Sequence, residues 1–338
     1  MIPVLAFLGL VWLSPQDPFV ARRDAAAALN SRSPRFTIAL ADSHRSFRPG
    51  EKIPLVLSYD NLGRGWAKNE DVSLPHFADV VLDRTVGTAR PLADYDRAYV
   101  SGGVCCGAPG GVVHASPSFD RIVFGADGVP YFVKDPPPPP PPPPPPVTIT
   151  VLLNEGVRFD APGHYRLYLA DRHDAERIYP NAGRTPPLIS NIVELDITAR
   201  DAEWEDRTAA GALAILDGPS SDLEWTTAAR TLRFLGSERA IDEMADRLGR
   251  QTSAPARLKH DIEFVLGLFG ARDRARVIAR MEMALDDAHR PLSGLYLETL
   301  TAIRMTPVPG AHYTAAQRQA QLKAYQRRRS LALKRARR

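Results

Sequence analysis

Residues 193–216 read VELDITARDAEWEDRTAAGALAIL, and the fold turns on what happens inside them. Val193, Leu195 and Ile197 alternate with Glu194 and Asp196, the period of two that puts one face of a strand in a core. From Trp204 to Leu216 the apolar positions recur at helical spacing instead. The change of period near Thr198 therefore predicts a chain in two halves, sheet-built before and helical after. At 338 residues, with 44% hydrophobic and 24% charged positions, it is long enough for two cores and close to the globular average.

Upstream the period of two persists. Phe36, Ile38 and Leu40 form one such run, and Ile53, Leu55, Leu57 and Tyr59 another. Val147, Ile149 and Val151 follow, then Tyr165, Leu167 and Leu169. Arg48-Pro49-Gly50, Asn61-Leu62-Gly63 and Ala161-Pro162-Gly163 supply turns between them. Strands without intervening helices predict an antiparallel sandwich. Pro54 lacks a ladder donor, so its strand is expected at an edge or to start there.

Downstream, Ile241, Met244, Ala245 and Leu248 predict a helix with Ser237 as N-cap and Gly249 as its stop. Leu258 to Phe269, Val277 to Leu285 and Leu292 to Ile303 continue the pattern, and Thr227 to Leu235 precedes it. Leu235-Gly236 before Ile241, Met244 and Leu248 echoes Phe269-Gly270 before Ile278, Met281 and Leu285, an offset of 34 to 37 residues. Helix pairs at that period predict an α-solenoid.

Two resemblances sharpen this reading. The stretch Phe47-x-Pro49-Gly50-Glu51-x-Ile53-x-Leu55-x-Leu57-x-Tyr59-x-Asn61 resembles the opening of extracytoplasmic immunoglobulin-like or macroglobulin-type modules. Phe159-x-x-Pro162-Gly163-x-Tyr165-Arg166-Leu167, with Ser190-Asn191-x-Val193, resembles their closing strands. The likeness implies that Tyr165 makes a corner hydrogen bond to upstream backbone. Ala228-Ala229-Arg230-x-Leu232-Arg233-x-Leu235-Gly236 then Ala240-Ile241 resembles bacterial HEAT-like repeats, which are generally non-catalytic protein-binding surfaces. The whole also looks like a group of uncharacterised secreted bacterial proteins. The expected organisation is a signal peptide over 1–16, an immunoglobulin-like β-sandwich over 34–199, HEAT-like repeats over 202–305 and a basic tail over 311–338.

Several segments carry paired readings. The apolar run Ile2 to Leu13 suits the core of a secretory signal, or a small element docked on the body. A signal would make the protein secreted or periplasmic. The span 63–146 is a long insertion, ending in the eleven-proline run Pro136 to Pro146. That run is either a stiff rod for an aromatic groove or an expansion in a tolerant loop. Trp66, Tyr95, Tyr99 and Phe119 either form an interaction surface or complete the core. Cys105 and Cys106 either close a vicinal disulfide or stay as thiols.

The tail from Ala311 to Arg338 holds nine basic residues and no acidic one, against a formal charge of +4 for the chain. Arg327, Arg328, Arg329, Lys334, Arg335, Arg337 and Arg338 are candidate contacts to nucleic acid or anionic lipid, or else a solvated, partly helical terminus. GxSxG, GxxxxGK[ST], HExxH and CxxC motifs are all missing. Asp171-Arg172-His173-Asp174 and Asp286-Asp287-Ala288-His289 set a His beside carboxylates, as caps and turns or as a weak metal or acid–base site. The expected function is a non-enzymatic extracytoplasmic binding or scaffold protein with a protein partner and no cofactor. The alternatives are a hydrolase or other enzyme using the 63–135 region, and polyanion binding through the tail.

Overall fold

The computed structural model describes residues 17–29, 35–42, 44–60, 78–83, 90–91, 121–124, 130–133, 146–171, 187–249, 258–305 and 313–337. A β-sheet region with antiparallel sheets precedes a helical region, and eight helices occur among the described residues.

The first sheet has the order β1 (Arg35–Leu40), β3 (Pro54–Asp60), β8 (Val147–Leu152), all antiparallel, with Ile38 opposite Leu57 and Leu57 opposite Ile149. The second runs β11 (Leu188–Ile189), β10 (Gly163–Asp171), β12 (Val193–Ile197), β2 (Ser46–Phe47), and β4 (Ala78–Leu82) also pairs with β10. The β12–β2 pair is parallel; the others in these two sheets are antiparallel. Two short pairs add β5 (Arg90–Pro91) with β9 (Val157–Arg158), and β6 (Arg121–Phe124) with β7 (Pro130–Val133).

Alternation does the predicted work in β1 and β3, where every second residue is buried. Phe36, Ile38, Leu55, Leu57 and Tyr59 from the first sheet share one apolar cluster with Tyr165, Leu167, Leu169, Leu195 and Ile197 from the second. Pro54 opens β3, yet β3 is the central strand, so the edge expectation fails and the starting-residue one holds. Only the first position of a central strand tolerates a missing N–H. Its carbonyl still accepts from Ala41 N at 2.9 Å. Asn191 closes the free side of β1: Ile38 N donates to its Oδ1 at 2.8 Å and its Nδ2 donates to Ile38 O at 3.0 Å.

One element escapes the sequence reading. Helix α1 (Pro18–Ala28) has Asp17 as N-cap, accepting from Phe19 N and Val20 N, with proline in its first turn. Phe19 lies 5.4 Å from the Tyr168 ring, which explains why the end of β10 is buried on both faces.

The helical region comprises α2 (Ala202–Asp217), α3 (Asp222–Leu235), α4 (Glu238–Gly249), α5 (Leu258–Gly270), α6 (Arg274–Asp286), α7 (Gly294–Arg304) and α8 (Ala315–Ala336). Short polar side chains start them. Asp201, Asp273 and Ser293 accept from the third N–H beyond, Ser237 Oγ accepts from Ala240 N, and Ser221–Glu224 and Thr314–Gln317 form capping boxes. Helices pack on chain neighbours and on the helix two further along: α3 on α5, α4 on α6, α6 on α8. Their core, with Leu232, Ile241, Met244, Phe264, Met281 and Leu300, shares no residue with the sheet cluster.

Polar groups and one glycine join the two regions. Gly50, in the left-handed region at φ 86°, backs onto the end of α3. Arg48 lies over the Trp204 ring at 5.5 Å and reaches Asp201 at 3.5 Å. Arg230 pairs with Glu155 at 3.5 Å, and Arg272 Nη2 donates to Phe159 O at 3.3 Å.

Candidate interaction surfaces

A charged concavity lies where the second region begins. Arg200 and Glu205 stand at the start of α2, Glu238, Arg239, Asp242 and Glu243 come from α4, and Arg276 comes from α6; Ala202, Asp206 and Ser237 complete the lining. The groove encloses about 530 Å³. Five carboxylates face three guanidiniums, a formal excess of two negative charges. Glu205 is buried and takes a forked pair of bonds from Arg200, at 2.7 Å to Nε and 2.6 Å to Nη2. That bonding raises the Arg200 pKa above its ordinary value. Arg276 bridges Glu238 and Asp242, each at 2.7 Å. Asp206 and Arg239 remain exposed on the rim.

The same pairing repeats along the stacked helices. Arg276 and Arg280 on α6 reach Asp242 and Asp246 on α4, each 34 residues back. Arg290 adds a bond to Asp246 at 2.9 Å, and Arg247 on α4 reaches Asp217 at the end of α2 at 2.9 Å. On α8, Arg328 Nε meets Asp286 at 2.9 Å while Tyr325 donates to Glu282 at 2.7 Å. Each layer thus sends cations to the carboxylates of the layer before it. The Asp286 carboxyl is held below the usual carboxylate range, chiefly by the Arg328 bond. Burial first, then Glu282, pushes the Tyr325 hydroxyl up to about 12.

The candidate polyanion residues divide. Arg329 is buried and caps the end of α6, donating to Asp287 O at 2.6 Å, to Leu285 O at 3.4 Å and to Arg290 O. Arg328 is spent on Asp286. Both are anchors of α8. Arg327, Lys334, Arg335 and Arg337 are exposed, as are Arg318 and Lys323. Arg338 lies outside the described residues.

So do Trp66, Tyr95, Tyr99 and Phe119, and so do Cys105, Cys106, the span 1–16, His173 and most of the 63–146 insertion. Of the two His–carboxylate clusters, Asp171 is buried and accepts from Tyr59 OH at 2.7 Å, while His289 N donates to Asp287 Oδ1 at 3.0 Å in a turn. Tyr165 makes the corner bond its position implies, donating to Ala161 O at 2.7 Å.

Sequence reading missed two features. One is the Asp17–Arg166–Asp83 cluster that seats α1: Arg166 bonds Asp17, and its Nε donates to Asp83 at 3.0 Å. Asp17-Pro18, an N-cap followed by proline, is the signal that marks that helix. The other is the charge ladder, visible as Arg276 and Arg280 set 34 residues beyond Asp242 and Asp246.

Among the described residues no group of three or more His, Cys, Asp or Glu is placed to hold a metal ion, and no helix is long and apolar enough to cross a membrane. No protein family, curated protein or solved structure matches the chain.

Proposed function

We propose that the chain is a non-catalytic scaffold of a secreted or periplasmic compartment, an immunoglobulin-like β-sandwich bearing a short HEAT-like solenoid whose charged groove receives a protein partner. The Tyr165 corner bond supports the sandwich half of this reading. Helices packed two apart at the 34-to-37-residue repeat support the solenoid half. The apolar run at Ile2 to Leu13 supports the compartment.

The groove between α2, α4 and α6 carries the functional part. Its carboxylates and guanidiniums are largely bound to one another, which fixes the shape of the surface before anything binds. Preformed polar surfaces of this kind contribute specificity and association rate through charge complementarity. The negative excess fits a polypeptide segment bearing Lys or Arg. Nothing in that arrangement sets a nucleophile against a base.

A photo-crosslinking residue in place of Arg239, on the purified full chain, tests the reading. In extract from the source cells it should capture a discrete protein band. The double variant Asp206→Lys/Glu243→Lys should remove the band while the chain stays folded. Capture that ignores the charge reversal, or turnover of a substrate without any crosslink, would overturn the proposal.

A further inference from the structure

The last helix ends the charge ladder without continuing it. In α4 and α6 acidic side chains at i and i+4 receive donors from the next layer: Asp242 and Asp246 from Arg276 and Arg280, then Glu282 and Asp286 from Tyr325 and Arg328. From Ala315 to Ala336, α8 has no acidic residue at all. Its inner face is fully used, with Tyr325 buried, Arg329 buried, Leu322 packed against the core and Arg328 paired. The outer face presents Lys323, Arg327, Lys334, Arg335 and Arg337 to solvent.

At about 100° per residue, Lys323, Arg327 and Lys334 fall on one line opposite the buried face, with Arg337 and Arg335 on either flank. The cations fan over about 160° of the helix circumference, along roughly 20 Å of axis. That is a convex ridge, charged on its crest and on both sides.

We propose that this ridge binds double-stranded nucleic acid by its phosphates, with no base preference. A helix is about 10–12 Å across, and the major groove of B-DNA is about 12 Å wide. A ridge charged on both flanks meets phosphates on both walls of such a groove. A flat bilayer meets only the crest. An interfacial helix also buries a broad apolar face among lipids; here Leu322 and Tyr325 are spent on the core, and Leu331 is the one large apolar side chain of α8 left exposed among the described residues. The acidic groove draws its lining from the start of α2, from α4 and from the start of α6, and none from α8. The proposal stands apart from the groove reading, because it uses none of the groove's residues.

Five phosphate contacts give a salt dependence of about −0.9 per contact, a slope near −4.5 in log K against log salt, or roughly a 500-fold loss between 50 and 200 mM. The test is fluorescence anisotropy of a labelled 20-bp duplex of arbitrary sequence with the full chain. The triple variant Lys323→Gln/Arg327→Gln/Lys334→Gln should lower the slope by about 2.7, three contacts' worth. Its thermal midpoint should match the parent, since all three side chains are exposed. Asp206→Lys/Glu243→Lys should leave duplex binding at least as strong. A slope shallower than −2, or a triple variant that binds like the parent, overturns the proposal. So does tenfold tighter binding to vesicles of 30% phosphatidylglycerol in phosphatidylcholine than to the duplex, which would place the ridge on a membrane.

Discussion

Gly50→Ala probes the joint between the two regions. Residue 50 has φ 86°, which a side chain resists at about 1–2 kcal/mol. A Cβ there would stand 2.8 Å from Leu235 Cα, 3.0 Å from Phe234 O and 3.3 Å from Leu235 N. Ordinary carbon contacts lie near 3.5–4.0 Å. All three neighbours are backbone atoms at the end of α3, so none can swing aside; the Arg48-Pro49-Gly50 turn has to back away from the helix. Overpacking of that kind costs about 1–3 kcal/mol. The sum centres near 3 kcal/mol, or roughly a 6–12 °C fall in unfolding midpoint for a unit of this size. Moving the turn also stretches the 3.5 Å contacts of Arg48 with Asp201 and of Arg230 with Glu155. Gly236→Ala is the control: φ is 52° there, but the nearest atom to an added Cβ is 3.9 Å away, so only the backbone cost of about 1–2 kcal/mol applies. Differential scanning calorimetry of both variants decides it. If Gly50→Ala loses no more than Gly236→Ala, the close approach of turn and helix is not part of the native state, and the fixed geometry of the joint goes with it.

Tyr165→Phe removes the 2.7 Å corner bond to Ala161 O and keeps the ring, so urea denaturation should show a loss of about 1 kcal/mol. Arg329→Met strips the donor from the carbonyls of Leu285, Asp287 and Arg290. It should cost about 3 kcal/mol and raise amide exchange across 315–336, whereas Arg327→Gln should stay within about 0.5 kcal/mol. Asp17 has its pKa lowered from 3.8, chiefly by the Arg166 bond, so what it adds to the docking of α1 is fully present above that value and is lost as pH falls through the lower folded one. Proteolysis between residues 17 and 35 should therefore accelerate below pH 4, and Arg166→Gln should bring that sensitivity to neutral pH. Tyr325 runs the other way. Its folded value near 12 exceeds the ordinary 10.0, so its contribution is intact below pH 10 and fades between 10 and 12, where exchange in α8 should rise.

Most of the architecture was legible because burial imposes a period. Ile38, Leu57 and Leu167 point inward as alternation requires, and Met244, Met281 and Leu300 line a helical core at helical spacing. Ser237 caps its helix as its position before the apolar stripe predicts. The strand of Pro54 shows where local rules run out. Proline forbids a ladder donor at one position, but whether a strand is central depends on β8, nearly a hundred residues later. Helix α1 went unread because its stripe is thin: Phe19 is its one buried residue, and a cap alone marks the start. The groove was illegible for another reason. Asp206, Asp242 and Arg276 are ordinary surface charges in sequence, and only stacking at 34-residue intervals brings them together.

Buried charge gathers at the joint. Glu155, Arg233 and Glu263 are each almost wholly buried, with Arg230 between them. Burial, reinforced by the nearby Arg230 guanidinium, holds Lys52 below its ordinary value. Such groups are poor sources of stability, because desolvation offsets most of the attraction. Their geometry is demanding, though: Arg230 and Arg233 hold Glu263 within the helical stack at 2.9 Å and 3.1 Å, and the same Arg230 reaches across to Glu155 at 3.5 Å, so sliding one region over the other would pull Arg230 away from the buried Glu155. An apolar seam of the same area would hold the halves as firmly and let them slip. A seam of paired ions allows few alternatives, and it favours one relative orientation of the sheets and the stacked helices. For the partner-binding role proposed above, that constraint would matter more than a few kcal/mol of extra stability.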